Sequence, residues 1–287
     1  MAALAACTIM VVLAWPVPET RAAEGGGALR SSGCSASPPG SPPTSIVVDG
    51  RQRELIVAPV RQGGGDEPLD VVVAFHGRTN SNAQVRNYFG LEKAVQRSTL
   101  FVYPAGLPAG DGGRDWTGGG SASAEPRDFA LFDAIVLRLA QLYCLDLGRV
   151  FAVGHSLGAS FVNALACARG DQLRGIATVA GDPGLTETGC TGPVAALLLH
   201  NPRDEIVGIA GAARVRDRLI RTNGLASDAV SGLPGDLGCV QYGGSPAANP
   251  VVWCAHHQDV TRRGRYYPHQ WPPDAGALIM EFFAGLP

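Results

Sequence analysis

The sequence predicts an α/β domain: a doubly wound, mostly parallel sheet that opens on an N-terminal antiparallel hairpin. Short runs of consecutive apolar residues recur along the chain, as strands buried on both faces require. Between them lie segments with the three-four spacing of amphipathic helices. Strands that alternate with helices in this way assemble into parallel sheets with helices on both faces.

The hairpin is the first element. Ile46-Val47-Val48 and Arg53 to Val57 flank Asp49-Gly50, a pair suited to a tight two-residue turn. Leu69 to Phe75 (LDVVVAF) follows as a buried strand, with further runs at Leu100 to Tyr103, Val150 to Val153, Ile176 to Val179, Ala195 to Leu199 and Val251 to Trp253. Helical patterns fall at Leu91 to Gln96, Phe129 to Leu142, Leu157 to Ala168, Ala210 to Arg221 and Asp274 to Phe283. In the second of these, Phe129, Phe132, Ile135, Val136 and Leu139 trace one helix face. One domain over residues 46–287 accommodates all of these elements and leaves no separate cap domain.

Composition narrows the function. With 46% hydrophobic and 17% charged residues, the 287-residue chain can bury a sizeable core. Its 38 glycines and 21 prolines imply many loops. A net charge of −2 without a long basic or acidic block argues against a nucleic-acid or membrane-surface partner. Ala2 to Trp15 is apolar but shorter than the roughly 20 residues of a membrane span. With small residues at Thr20 and Ala22 it reads as a signal peptide over residues 1–23 and implies export, although no Lys or Arg precedes it. Residues 24–45, rich in Gly, Ser and Pro, read as a flexible leader.

Besides Cys7, six cysteines remain: Cys34, Cys144, Cys167, Cys190, Cys239 and Cys254. An even set suits three disulfides in an exported protein, with 15 connectivities open. Proximity in sequence favours Cys239 with Cys254. Neither these cysteines nor the histidines show metal-ligand spacing, so no metal is expected.

Gly154-His155-Ser156-Leu157-Gly158 fits the G-x-S-x-G nucleophile elbow of α/β hydrolases. Arg149 to Val153 supplies the strand before it and a helical segment follows. The elbow lifts a serine hydroxyl over the sheet and offers the next amide, Leu157, to a substrate oxygen. A second amide, from Arg78 or Thr79, is expected in the loop after Leu69 to Phe75. Serine needs an imidazole to take its proton and a carboxylate to orient that imidazole. In this fold the order is Ser, acid, His. Asp204, after the strand ending at Leu199, and His269, in a Pro-rich loop near the C-terminus, are favoured. Asp182 and the His256/His257 pair are the rivals. Trp116 and Trp271 are candidates for an aromatic substrate cleft, Trp116 on a Gly-rich loop and Trp271 beside His269.

With these residues in place, the chain resembles secreted esterases of the feruloyl esterase and polyhydroxybutyrate-depolymerase-like group. The likeness is carried by Ser32-Gly33-Cys34 leading to Val48-Asp49-Gly50-Arg51-Gln52-Arg53, and by Cys144-Leu145-Asp146 leading through the elbow to Ala166-Cys167-Ala168. Val251-Val252-Trp253-Cys254 and His269-Gln270-Trp271-Pro272 complete it. The resemblance implies Ser156, Asp204 and His269 as a triad, no cofactor, and an extracellular ester substrate. It departs at Asn201, where the group has Gly, at Tyr267-Pro268, where it has Gly-Gly, and in a longer segment from His256 to Tyr267. The expected activity is a monomeric hydrolase of feruloyl or acetyl esters on plant polysaccharide. A polyester depolymerase, a serine peptidase and a non-catalytic carbohydrate-binding or cell-surface module are the other readings.

Overall fold

Asp49 and Gly50 both adopt positive φ, 50° and 73°, and turn strand β1 (Ser45–Val48) back onto β2 (Arg51–Val60). A computed structural model describes residues 28–37, 39–62, 67–116, 127–184, 189–228, 231–233, 235–243 and 247–287. After the hairpin come β3 (Leu69–Phe75), α1 (Asn82–Phe89), β4 (Thr99–Pro104) and a two-stranded ribbon of β5 (Leu107–Pro108) and β6 (Arg114–Asp115). Then follow α2 (Arg127–Leu142), β7 (Leu145–His155), α3 (Leu157–Ala168), β8 (Gly175–Val179), β9 (Ala195–His200) and α4 (Ile209–Thr222). The chain closes with β10 (Ser231–Gly232), β11 (Cys239–Tyr242), β12 (Val251–Ala255) and α5 (Ala275–Ala284).

The main sheet has the order β1-β2-β4-β3-β7-β8-β9-β12-β11-β10. Strands β4, β3, β7, β8, β9 and β12 run parallel to one another. The N-terminal hairpin joins antiparallel at one edge, and β11 and β10 join antiparallel at the other. This is the α/β-hydrolase architecture.

Every residue of β3 is buried, and its side chains alternate between two cores. Val71, Val73 and Phe75 pack with α2, α3 and α4 on one face. Val72 and Ala74 pack with α1 and α5 on the other. A strand covered on both faces has no polar side, which is why the sequence shows a continuous apolar run instead of alternation.

Three expectations are corrected. The helical pattern at Leu91 to Gln96 is only a 3₁₀ turn over Leu91–Lys93. The helix lies upstream as α1, where Ser81 and Gln84 form a reciprocal capping box. Secondly, residues 29–34 of the leader are pinned to the domain. Ser31 exchanges hydrogen bonds with Leu145 through its amide and its Oγ, both at 2.9 Å. Cys34 is disulfide-bonded to Cys144, and a Cβ on Gly33 would overlap the Tyr143 backbone. Lastly, the sheet extends past Val251 to Trp253 by two antiparallel strands absent from the sequence reading. Cys239 of β11 faces Cys254 of β12 across that pairing and is bonded to it, and Cys167 is bonded to Cys190. The expected signal peptide lies outside the described residues. Among those described, no helix is long and apolar enough to cross a membrane.

Candidate active site

The loops after the parallel strands converge at the carboxyl ends of β3, β7, β9 and β12. Ser156 stands between β7 and α3 with φ 55° and ψ −123°, a conformation that side-chain-bearing residues seldom adopt. The flanking glycines make that turn possible. A Cβ on Gly154 would overlap the Gly158 carbonyl, and one on Gly158 would overlap the carbonyls of Phe75 and His76. The Ser156 amide donates to Val179 O at 2.9 Å, and Ser160 N donates to Ser156 O at 2.9 Å as the first helical bond. The amides of Leu157, Gly158 and Ala159 therefore lack partners inside the helix.

His269 reaches this serine from near the C-terminus. Its Nε2 lies 2.8 Å from Ser156 Oγ, and its Nδ1 lies 2.6 Å from Asp204 Oδ2. The other Asp204 oxygen accepts from the amides of Ile206 at 2.9 Å and Val207 at 3.0 Å. Burial by itself would raise the Asp204 pKa, but the bonds from His269, Val207 and Ile206 outweigh it and hold the carboxyl below its usual value. Asp204 is therefore an anion beside the imidazole.

The rivals occupy other roles. Asp182 Oδ1 accepts from Gly184 N at 3.0 Å in a turn, while the Asp182 amide and carbonyl are bound by Ser160 and Asn163 of α3. His256 is buried, accepts from Gln258 N, and has its pKa lowered to about 4 by burial. His257 is exposed.

The loop after β3 backs onto the serine. A Cβ on Gly77 would sit 3.3 Å from Ser156 Cβ, so the chain passes directly behind that serine. Arg78 and Thr79 form the middle of a turn closed by Asn80 N to Gly77 O at 3.1 Å. The Arg78 carbonyl accepts from Arg114 N at 2.8 Å, and its guanidinium pairs with Asp111. His76 braces the same loop: Nδ1–H donates to Gly77 O, and Nε2 accepts from Gly106 N, both at 2.8 Å. Burial lowers the His76 pKa to about 4, which keeps that neutral tautomer.

The two tryptophans are corrected. Trp116 is fully buried, packs edge-on against Phe75, stacks on Phe161, and donates Nε1–H to His76 O at 2.8 Å. Its bulk fills the core under the His76 loop and leaves no face for a substrate. Trp271 is 8% exposed and stacks on Phe89 at 3.9 Å, so it supports the His269 loop from beneath.

Two residues named in the sequence only as a motif member and as a departure contribute to the site. His155, the residue before the serine, donates Nε2–H to the backbone carbonyl of His269 at 3.0 Å. Its Nδ1 then accepts from the Tyr88 hydroxyl at 3.0 Å. Burial drives its pKa down to about 3 and keeps it neutral. The second is Asn201, whose Nδ2 donates to Asp259 Oδ1 at 2.8 Å while Oδ1 accepts from Arg203 N at 2.9 Å. Arg203 also pairs with Asp259. The Asn201 departure thus reaches directly into the longer segment from His256 to Tyr267 and ties the acid loop to the histidine loop. Among the described residues no group of three or more His, Cys, Asp or Glu side chains is arranged to hold a metal ion.

A serine hydroxyl in contact with an imidazole, itself held by an anionic carboxylate, is the geometry for nucleophilic acyl transfer. No family model matches the chain. It is 28% identical over 277 residues to "Feruloyl esterase D" of Neurospora crassa, covering 90% of this chain and 91% of that protein. It is 30% identical over 243 residues to "Probable feruloyl esterase C" of Aspergillus flavus, covering 79% and 82%. Among solved structures, an acetyl xylan esterase from Aspergillus awamori superposes with a TM-score of 0.60 at 14% identity, over 81% of this chain and 94% of that one. A Bacillus cereus carboxylesterase does so with a TM-score of 0.58 at 12% identity, over 81% and 93%. At such identities the two structures speak to the fold.

Proposed function

The chain belongs to the feruloyl esterase family of carboxylic ester hydrolases, and on that premise we propose that it cleaves feruloyl or acetyl esters of plant polysaccharide outside the cell. The observation that carries the reading is the run of contacts from Ser156 Oγ through His269 to Asp204, at 2.8 and 2.6 Å.

His269 Nε2 takes the Ser156 proton as Oγ attacks the ester carbonyl carbon. The carbonyl oxygen becomes an oxyanion and is met by the Leu157 amide and an amide of the Arg78-Thr79 turn. Such donors act on charge that exists only at this stage, and losing one in comparable sites costs about 3–4 kcal/mol. The imidazolium returns its proton to the departing alcohol, leaving the acyl group on Ser156. Water, deprotonated by His269, then attacks that acyl-enzyme and releases the acid. Asp204 keeps Nδ1 as the protonated nitrogen and stabilises the cation. No step calls for a cofactor. Three disulfides suit an exported enzyme.

Methyl ferulate, acetylated xylan and short polyester films, each offered to wild type and Ser156→Ala, test the reading. Release of ferulate or acetate by wild type and its loss in the variant are expected. Turnover of polyester alone would move the substrate class to a polymer depolymerase, and the absence of any ester turnover would overturn the proposal.

A further inference from the structure

Residues 259–267 form a β-hairpin beside the imidazole. Val260 pairs antiparallel with Tyr266, and Tyr267 N donates to Asp259 O at 2.7 Å. At the tip, Thr261 N donates to Arg265 O and Gly264 N to Thr261 O, both at 2.8 Å, with Gly264 at φ 77°. The hairpin is therefore held by its own backbone bonds, and its base is tied to the acid loop through Asn201, Arg203 and Asp259.

Its surface is unusual for this chain. Arg262, Arg263 and Arg265 lie within four residues and all are exposed, in a protein of net charge −2. The hairpin's one acidic residue, Asp259, is already paired with Arg203. Arg265 lies over the Tyr267 ring at 5.5 Å, and that ring lies 5.9 Å from the His269 ring edge to face. Val260 and Tyr266 are 52% and 63% exposed. An arginine turn thus begins one aromatic ring away from the reacting atoms.

We propose that this hairpin recognises uronate carboxylates, so that the substrate is an ester carried on an acidic polysaccharide; this rests on the esterase reading above. Guanidinium forks match carboxylates in a bidentate way, and the exposed tyrosine offers a flat face to a sugar ring. A cluster of one sign at the mouth of a site also raises the local concentration of an anionic polymer.

The test separates binding from chemistry. The Ser156→Ala protein, with and without Arg263→Gln and Arg265→Gln, is titrated at low salt with oligogalacturonate and with neutral xylo-oligosaccharide of equal length. Tighter binding of the acidic chain is expected. The Arg263→Gln and Arg265→Gln pair should weaken it about tenfold, high salt should have a similar effect, and Arg263→Lys with Arg265→Lys should restore it only in part, because lysine keeps the charge and lacks the bidentate fork. Equal affinity for the two oligosaccharides, or no response to the glutamines, would overturn the proposal. In parallel, wild type is assayed on methyl ferulate, which carries no uronate. Failure there with acidic binding intact would remove the esterase reading while leaving the hairpin's specificity in place.

Discussion

Between β7 and α3, Ser156 is fixed by backbone atoms that have nowhere else to go: glycines at 154 and 158 press against the Gly158, Phe75 and His76 carbonyls. Opposite, His269 and Asp204 stand on loops 65 residues apart in sequence and are held by side chains: His155 and Tyr88 from one direction, Asn201, Arg203 and Asp259 from another. The serine's half is positioned by steric exclusion, which acts locally and leaves a sequence signature. The half that carries the imidazole and the carboxylate is positioned by polar contacts between distant segments. Changes in the first should act on folding, and changes in the second on rate.

Asp204→Asn is the largest expected effect. It keeps the shape of the acid loop but presents the wrong donor to His269 Nδ1. A fall of about 10⁴ in kcat with a nearly unchanged thermal midpoint is expected. A loss of less than about tenfold would mean that another group orients the imidazole. Gly158→Ala comes next and should act in the opposite way. The added methyl meets carbonyls that cannot withdraw, so a destabilisation on the order of 4 kcal/mol is expected in denaturant titration. Wild-type stability in that variant would contradict the steric account of the elbow.

The buried histidines give a smaller effect that is graded with pH. His76, His155 and His256 have folded-state pKa values of about 4, 3 and 4, below the ordinary 6.5. The unfolded chain therefore binds protons first as the solution is acidified. Their contribution to stability is complete above about pH 6.5 and is lost as the pH falls toward 4. The slope is about 1.4 kcal/mol per pH unit for each histidine that differs between the two states. Thermal midpoints measured between pH 7 and 4 should fall accordingly, less steeply in His155→Gln. Tyr88→Phe is the smallest change. It leaves a buried acceptor on His155 unsatisfied, which costs about 1–2 kcal/mol, and it should lower kcat severalfold with little change in KM because His155 holds the His269 carbonyl. An unaltered kcat would restrict Tyr88 to packing.

The same contrast explains what was legible in the sequence. Gly154-His155-Ser156-Leu157-Gly158 and the apolar run before it state both the turn and its strand, because the constraint lies among neighbours. The runs at Leu69 and Ala195 are equally explicit, since burial on both faces leaves almost no polar position; Asp70 is tolerated in β3 because it pairs with Arg97 and Arg149. Helix α1 was not legible: it buries only Val85 and Phe89, an i, i+4 pair too sparse to form a stripe. Trp116 sits beside a glycine-rich stretch, and nothing local reveals that it folds back beneath His76. The leader resembled a linker by composition because its anchors, Leu145 and Cys144, lie more than 100 residues away. His155 was legible as part of a motif but not as the support for His269, which depends on a contact across 114 residues.

The most direct measurement is covalent trapping with a phosphonate ester, followed by intact-mass analysis and peptide mapping. One adduct per chain on the peptide carrying Ser156 is predicted, slowed strongly in His269→Ala and absent in Ser156→Ala. An adduct that persists at another residue in Ser156→Ala, or labelling indifferent to the loss of His269, would contradict it.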